Sequence, residues 1–252
     1  IFAPKTCYSP QEASNEKMWG YAAQLYSLRS DNNWGMGDFG DLLGMVEQSA
    51  EQGVSAVGLN PLHPLYPNNP AHRSPYSPTS RCFLNVMYIA VTKVPASEDC
   101  QAAQQRFNSE EFQAKLAFAR ETELIDYPAV ADVKYQILEI LFKDFTAKAN
   151  QALLNEFNDF KAAQGADLLS LTTFDALYEY FREQDENAYG WKMWPAAYQD
   201  PNSDDVKAFQ TSHAARIDYF AYLQWLAHRQ LTAVAETAKE RDMPVGLYLD
   251  LA

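Results

Sequence analysis

Tyr21-Ala22-Ala23-Gln24-Leu25-Tyr26-Ser27-Leu28, then Arg29-Ser30-Asp31-Asn32-Asn33-Trp34-Gly35-Met36-Gly37-Asp38-Phe39-Gly40, then Asp41 to Gln52, then Gly53 and Val54-Ser55-Ala56-Val57-Gly58-Leu59 are four consecutive stretches of different character. The first is a short apolar run with aromatic content, which predicts a buried strand. The second is rich in Gly, Asn and Asp and reads as a loop. The third places Leu42, Leu43, Val46 and Ala50 near helical spacing, and Gly53 is a stop signal behind it. The fourth is again a strand, ended by Asn60-Pro61. Strand, loop, helix and strand in that order make a βαβ unit with parallel strands, so the expected class is α/β.

Downstream, residues 61–80 form a proline-rich loop, long for a mere connection and therefore a functional candidate. Phe83 to Thr92 reads as a further extended segment. From about residue 97 glycine nearly disappears and the patterns turn helical, over Glu110–Glu121, Val130–Lys148, Asn150–Gln164 and Leu169–Phe181. The Lys/Glu alternation in these helices reads as solvated faces. Residues 187–201 are a Trp/Pro/Tyr-rich loop, and Ser203 or Asp204 caps a long helix running to about Arg241 with a break near Ser212. Pro244 to Ala252 reads as a final strand, which closes a second, much elongated β-helices-β step. Parallel strands joined by helices leave two architectures open, a doubly wound sheet and a (β/α)8 barrel.

The composition narrows the function. The 252 residues are 47 % hydrophobic and 21 % charged, an ordinary globular balance. Acids outnumber bases 33 to 20, for a net charge of −13, so nucleic acid and anionic membrane are poor partners on electrostatic grounds. Aromatic residues reach 13 %, which suits a neutral ring-shaped ligand such as a sugar as well as a large core. Cys7, Cys82 and Cys100 make neither a disulfide framework nor a zinc pattern, which points to reducing cytoplasm. Cys82 is expected to be buried and inert. His63, His72, His213 and His228 form no metal-ligand pair, so neither metal nor cofactor is expected. Gly35-Met36-Gly37-Asp38-Phe39-Gly40 spells G-x-G-x-x-G between a strand and a helix. The next strand, however, ends at Asn60-Pro61-Leu62-His63 without the acidic residue a dinucleotide site requires, and this argues against NAD or FAD. The chain starts at Ile1 without Met and stops in an apolar strand, and it is expected to be a fragment of a larger protein.

Two motifs carry a family resemblance. Gln24-Leu25-Tyr26-Ser27-Leu28-Arg29-Ser30 with Asn33-Trp34-Gly35-Met36-Gly37-Asp38-Phe39-Gly40 resembles the first strand and loop of the amylomaltases, the 4-α-glucanotransferases of glycoside hydrolase family 77. Gly58-Leu59-Asn60-Pro61-Leu62-His63 with Ser74-Pro75-Tyr76-Ser77-Pro78 resembles their second strand and loop. Ile125-Asp126-Tyr127, Gly190-Trp191 with Trp194-Pro195, Tyr222-Leu223-Gln224-Trp225-Leu226 and the last strand through Asp250 continue the match. The resemblance implies an incomplete (β/α)8 TIM barrel, about its first three strands, carrying a large helical insertion. The division it suggests is 1–96 for the start of the barrel, 97–200 for the insertion and 201–252 for a barrel helix and third strand. It also implies transfer of α-1,4-glucan segments between maltooligosaccharides by retaining double displacement, with two carboxylates doing the chemistry. In the family the nucleophile sits in an Arg-x-Asp-His segment beyond the third strand and the acid/base later still, so none of the catalytic residues is expected before residue 252. Arg216-Ile217-Asp218 has similar letters inside a helical pattern and reads as a solvated helical pair. The alternatives are an α-glucan hydrolase and a glucan-binding or regulatory domain without catalysis.

The resemblance makes Tyr76, Ser74, Asp250, Asn60, His63, Asp38 and Trp191 the candidate substrate-binding residues. Tyr76 would lie under the sugar that is cleaved, and Asp250 at the C-terminal end of a strand would organise the site. Asp38 is equally a helix cap and Asn60 a turn residue. Trp191 and Trp194 read as sugar platforms or as packing, while Trp34, Gln224 and Trp225 read as packing and Arg29 with Asp41 as a structural ion pair.

Overall fold

The computed structural model describes residues 17–252; Cys7 and the Ile1 terminus lie outside the described residues. Three short parallel strands, β1 (Gly20–Ala23), β2 (Ala56–Leu59) and β3 (Gly246–Leu249), pair in the order β1-β2-β3. Gly20 is opposite Ala56 and Ala56 opposite Gly246 in register; Ala23, Leu59 and Leu249 align at the other end. All three strand ends therefore deliver their following loops to one rim, the geometry in which α/β proteins place their sites. The expected α/β class is the observed one.

The helix starts follow from local capping. Helix α1 (Phe39–Glu51) opens on a capping box in which Asp38 accepts from the Gly40 and Asp41 amides and Asp41 accepts from the Asp38 amide. After α2 (Gln101–Phe107), α3 (Glu110–Glu121) starts on a Ser109 cap and α4 (Tyr127–Lys148) on Asp126 with a proline in its first turn. Asn150 caps α5 (Gln151–Gln184), Ser203 caps α6 (Asp204–Ser212), and α7 (Ala214–Glu240) follows after a break at His213. The two helices expected over 150–164 and 169–181 are one run interrupted at Gly165, whose φ of 55° leaves the helical region.

Helix α7 is the hub. Tyr219 to Ala227 are buried without interruption, the signature of a helix covered on all sides. It packs against α1, α4, α5, α6 and β3, and the buried residues of the sheet, α1 and the 97–200 helices join one hydrophobic core. Phe145, Phe157, Tyr222 and Trp225 form an aromatic knot where α4, α5 and α7 meet, with ring centroids 5.0–6.3 Å apart.

Several sequence expectations are corrected. The first strand stops at Ala23 rather than Leu28, because Asn60 takes the Leu25 amide and the chain turns through a 3-10 turn at Leu25–Ser27. Residues 83–92 are two 3-10 turns, Val86–Tyr88 and Val91–Lys93, rather than a strand. Two side-chain amides of α7 occupy the backbone groups a strand partner would use. Gln224 bonds both N and O of Leu84 (3.1 and 2.8 Å), and Gln230 both N and O of Ala90 (2.8 and 3.0 Å). Cys82 is exposed, on a bend just after the proline-rich loop. Arg29 donates to the Gly35 carbonyl (2.8 Å) instead of pairing with Asp41. Arg216 and Asp218 are not a pair but bridge helices, Arg216 to Glu139 and Glu179 and Asp218 to Lys161. Lys134, on an α4 face read as solvated, is fully buried.

The glycine-rich loop has a packing explanation. Gly35 has φ of 95°, and a Cβ there would meet the Ala119 carbonyl at 2.2 Å; at Gly37 it would meet the Leu25 carbonyl at 2.0 Å. The two glycines let the loop press against α3 and the end of β1. Trp34 is buried against α2 and α3, stacking on Phe107 with centroids 5.7 Å apart, while Phe112 meets its ring edge-on.

Candidate functional site at the strand ends

The rim formed by the C-terminal ends of the strands gathers Asn60, Tyr76 and Asp250. Asp250 directly follows β3 and donates its amide to the Leu59 carbonyl at 3.3 Å, so its half-buried carboxylate is held at the strand end. The Tyr76 hydroxyl reaches that carboxylate at 3.5 Å, although the two residues are 174 positions apart in sequence. Tyr76 remains 60 % exposed, leaving its ring face open to a ligand.

The loop that carries Tyr76 is ordered by its own bonds. Thr79 donates its amide and its hydroxyl to the Pro64 carbonyl (2.9 and 3.2 Å). The His72 ring bonds the Ser77 carbonyl at 3.2 Å, and Ser77 donates its amide to the Ser74 carbonyl. Asn68 and Asn69 fasten the loop to α5 through the Asp175 carbonyl and the Tyr178 hydroxyl. Ser74 is exposed beside Tyr76. His63 is half-buried, and its Nε2 has no hydrogen-bond partner among the described residues.

Asn60 and Asp38 are occupied by the protein itself. Asn60 accepts from the Leu25 amide at 2.7 Å and donates to the Pro61 carbonyl and the Tyr88 hydroxyl (2.9 and 3.0 Å). It thereby ties the ends of β1 and β2 to the 83–92 segment. Asp38 spends one carboxylate oxygen on the α1 cap and the other on Lys134 Nζ at 3.2 Å. Lys134 also donates to the carbonyls of Met87 and Ile89, both at 2.8 Å. Burial pushes the Asp38 carboxyl above its ordinary value, while the Lys134 charge pulls the other way. Both residues organise the rim and offer no free polar group to a ligand.

Trp191 lies apart from this rim, half-exposed on a 3-10 turn (Trp191–Met193) behind Gly190. Trp194 is buried, stacked on Phe181 at 5.4 Å, and belongs to the packing. Gln224 and Trp225 are packing residues, as expected. The role of Lys134 was invisible in the sequence, where a lysine inside a helix reads as surface.

A parallel α/β chain with an aromatic ring and a carboxylate meeting at the carboxyl ends of its strands has its candidate site where barrel and doubly wound folds place theirs. Comparison with known proteins is specific. The sequence model of the 4-alpha-glucanotransferases, glycoside hydrolase family 77, matches residues 23–252. The chain belongs to that family. It is 39 % identical to the 4-alpha-glucanotransferase of Haemophilus influenzae over 258 aligned positions, covering 100 % of this chain and 37 % of that protein. The Mycobacterium tuberculosis 4-alpha-glucanotransferase is 30 % identical, with 100 % of this chain and 34 % of that protein covered. The crystal structure of amylomaltase from Corynebacterium glutamicum superposes with a TM-score of 0.73 at 26 % identity, over 96 % of this chain and 31 % of that one. An amylomaltase from Streptococcus agalactiae in complex with acarbose shares the fold with a TM-score of 0.71 at 18 % identity, over 94 % of this chain and 43 % of that one. The chain thus spans about a third of the length of these two curated relatives.

Proposed function

We propose that this chain is the opening part of the catalytic barrel of a 4-α-glucanotransferase that moves α-1,4-glucan segments between maltooligosaccharides. Residues 1–96 and 201–252 then supply the first three barrel strands and their loops, and 97–200 the helical insertion. The observation that carries the reading is the meeting of Tyr76 and Asp250 at the strand ends. In a retaining transfer one carboxylate attacks the anomeric carbon, another protonates the leaving oxygen, and a sugar 4-hydroxyl later resolves the covalent intermediate. Both reacting carboxylates come from the parent protein beyond residue 252 in this reading, and support for it is the one-third share of the relatives that the chain covers.

The work of this chain is to hold the sugar. The exposed Tyr76 ring offers a face to the apolar C–H side of glucose and to the positive charge that develops at the anomeric centre. Asp250 fixes the Tyr76 hydroxyl and accepts from a sugar hydroxyl, and the exposed Ser74 adds a further contact. In this reading the reaction draws on neither metal nor cofactor. We place the protein in the cytoplasm on its cysteine usage; among the described residues no helix is long and apolar enough to cross a membrane. A nucleic-acid or membrane partner is not part of the reading.

The test is maltotriose disproportionation by the intact protein, followed by glucose release and the appearance of longer glucans. Tyr76→Ala lowers kcat/KM about tenfold or more, the equivalent of roughly 1.4 kcal/mol of lost cation–π and stacking stabilisation. A change within twofold would make Tyr76 a loop-packing residue only.

A further inference from the structure

Among the described residues, two side-chain hydrogen bonds cross from the segment after β2 to the residues that leave β3. The Tyr76 hydroxyl reaches the Asp250 carboxylate at 3.5 Å, and Arg81 donates its Nε–H to the Ala252 carbonyl. The partners are 174 and 171 positions apart in sequence, so the two bonds join the same two segments side by side. They differ in strength. A hydroxyl bonded to a carboxylate ordinarily lies about 2.5–2.7 Å away. At 3.5 Å the Tyr76 ring and the carboxylate are in loose contact. A guanidinium on a carbonyl makes a charge-assisted bond, roughly twice as strong as a neutral one.

Arg81 is mounted on a fixed base. On one side Thr79 donates its amide and hydroxyl to the Pro64 carbonyl, and on the other Asn85 donates its amide to the Leu62 carbonyl at 2.8 Å. Both acceptors lie just past the end of β2. Between them Ser80 Oγ accepts from the Cys82 amide at 3.1 Å, which closes a tight turn with Arg81 at its centre, and the next residue, Phe83, is buried. The opposite segment is held much less firmly. Asp250 donates its amide to the Leu59 carbonyl at 3.3 Å, and Leu251 is 69 % exposed. Take Arg81 away and that bond, with the loose Tyr76 contact, is what remains on residues 250–252 among the described residues. Arg81 also bonds backbone rather than the carboxylate, so Asp250 keeps an oxygen for a sugar hydroxyl.

We propose that Arg81 is a positioning residue for glucan transfer. It fixes the segment after β3 against the segment after β2, and so sets the separation of the Tyr76 ring and the Asp250 carboxylate between which a glucose unit is oriented. Arg81 acts through that pair and touches no sugar itself. The proposal rests on the glucan-transfer reading above and deepens it by assigning the bond that orders its site. Displacing a binding group by about 1 Å can cost on the order of a hundredfold in rate, so one such bond has a measurable kinetic weight.

The experiment measures maltotriose disproportionation by the intact protein, with thermal melts of every variant. Arg81→Ala is expected to lower kcat about tenfold while KM stays within about twofold, the pattern of an interaction realised in the transition state. Arg81 is exposed, so the variant is expected to stay folded at the assay temperature. Arg81→Lys, which keeps a charged donor, recovers part of the loss. The decisive measurement is a double-mutant cycle with Tyr76→Phe, which removes the hydroxyl contact and keeps the ring. If Arg81 works through the pair, Arg81→Ala costs about threefold or less in the Tyr76→Phe background instead of about tenfold. Losses that simply multiply in the cycle overturn the proposal. A kcat for Arg81→Ala within about twofold of wild type does so too, as does a kcat loss accounted for by a smaller folded fraction. The two readings fail separately. A wild-type protein that does not disproportionate maltotriose refutes glucan transfer, whereas an active wild type with an unaffected Arg81→Ala variant refutes only the role of Arg81.

Discussion

Lys134→Met tests how the rim is held together. Lys134 has no exposed side-chain surface, and its ammonium serves three acceptors at once: Asp38 at 3.2 Å and the carbonyls of Met87 and Ile89 at 2.8 Å. Methionine conserves most of the volume and removes every one of those bonds. Breaking a buried ion pair from one side costs about 3–5 kcal/mol, because the remaining charge is left uncompensated. Two carbonyls without donors add about 1–3 kcal/mol each, in part shared with the first figure. The expected loss is about 5 kcal/mol, comparable with the whole stability of many domains. The loss also has a pH signature. Burial already raises the Asp38 pKa, and Lys134 is the main opposing influence. Without Lys134 the folded-state pKa climbs further, so the variant folds best where Asp38 is protonated and loses stability as pH rises from the unfolded value toward the folded one. Its deficit against wild type is therefore smallest near pH 4 and grows by up to about 1.4 kcal/mol per pH unit across that window. Adding Asp38→Asn, which keeps a capping side chain without the charge, recovers about 2 kcal/mol and flattens the pH dependence. Urea unfolding of the intact protein, followed by tryptophan fluorescence at several pH values, reads all of this. A Lys134→Met loss below about 1.5 kcal/mol, or a double variant no more stable than the single one, would refute the reasoning.

Two further outcomes follow from the same physics. Asp175 is buried, and burial together with the nearby Glu179 charge raises its pKa well above the ordinary carboxylate value, with Tyr66 and Tyr135 also close to it. A raised folded pKa favours folding below the unfolded value and is lost as pH climbs, so Asp175→Asn stabilises more at pH 8 than at pH 4, by about 1–3 kcal/mol; a pH-independent effect in thermal melts would contradict this. Asn60→Ala strands the buried Leu25 amide and the Tyr88 hydroxyl and costs about 2–4 kcal/mol, measured as a drop in the urea midpoint; a cost under about 1 kcal/mol would mean water or a rearranged loop replaces it.

What could be read from the sequence was local. The βαβ start and the caps at Asp38 and Ser203 were legible because each depends on residues close by in the chain. Misread segments depend on distant side chains. Residues 83–92 look extended, yet Gln224 and Gln230, about 140 positions away, take their backbone groups and leave the intervening residues to turn. Strand β1 stops early because Asn60 intercepts the Leu25 amide. The site divides in the same way. Tyr76 and Asp250 were found through motif and strand end, and their meeting is a matter of parallel register. Asp38 passed for a possible ligand contact because its partner, Lys134, lies 96 residues on in a helix whose pattern gives no sign of burial. Trp191 and Trp194 look equivalent in sequence, but the 3-10 turn between them exposes one ring and buries the other.

The same accounting decides what the 252-residue chain can do alone. Retaining transfer requires two carboxyl groups about 5–5.5 Å apart across the scissile bond. Of the acids placed by sequence at the strand-end rim, Asp38 is already committed to Lys134 and the α1 cap. That leaves Asp250, whose side chain has Tyr76 as its hydrogen-bond partner among the described residues. One carboxylate and an aromatic ring bind and orient a glucose unit without supplying both a nucleophile and an acid. The isolated chain is therefore expected to release no glucose from maltotriose. Maltooligosaccharide binding through the exposed Tyr76 ring at the rim is the property expected to survive. Glucose production by the purified 252-residue chain, abolished by Asp250→Asn, would place a reacting carboxylate within this segment and overturn the division of labour between holding and chemistry.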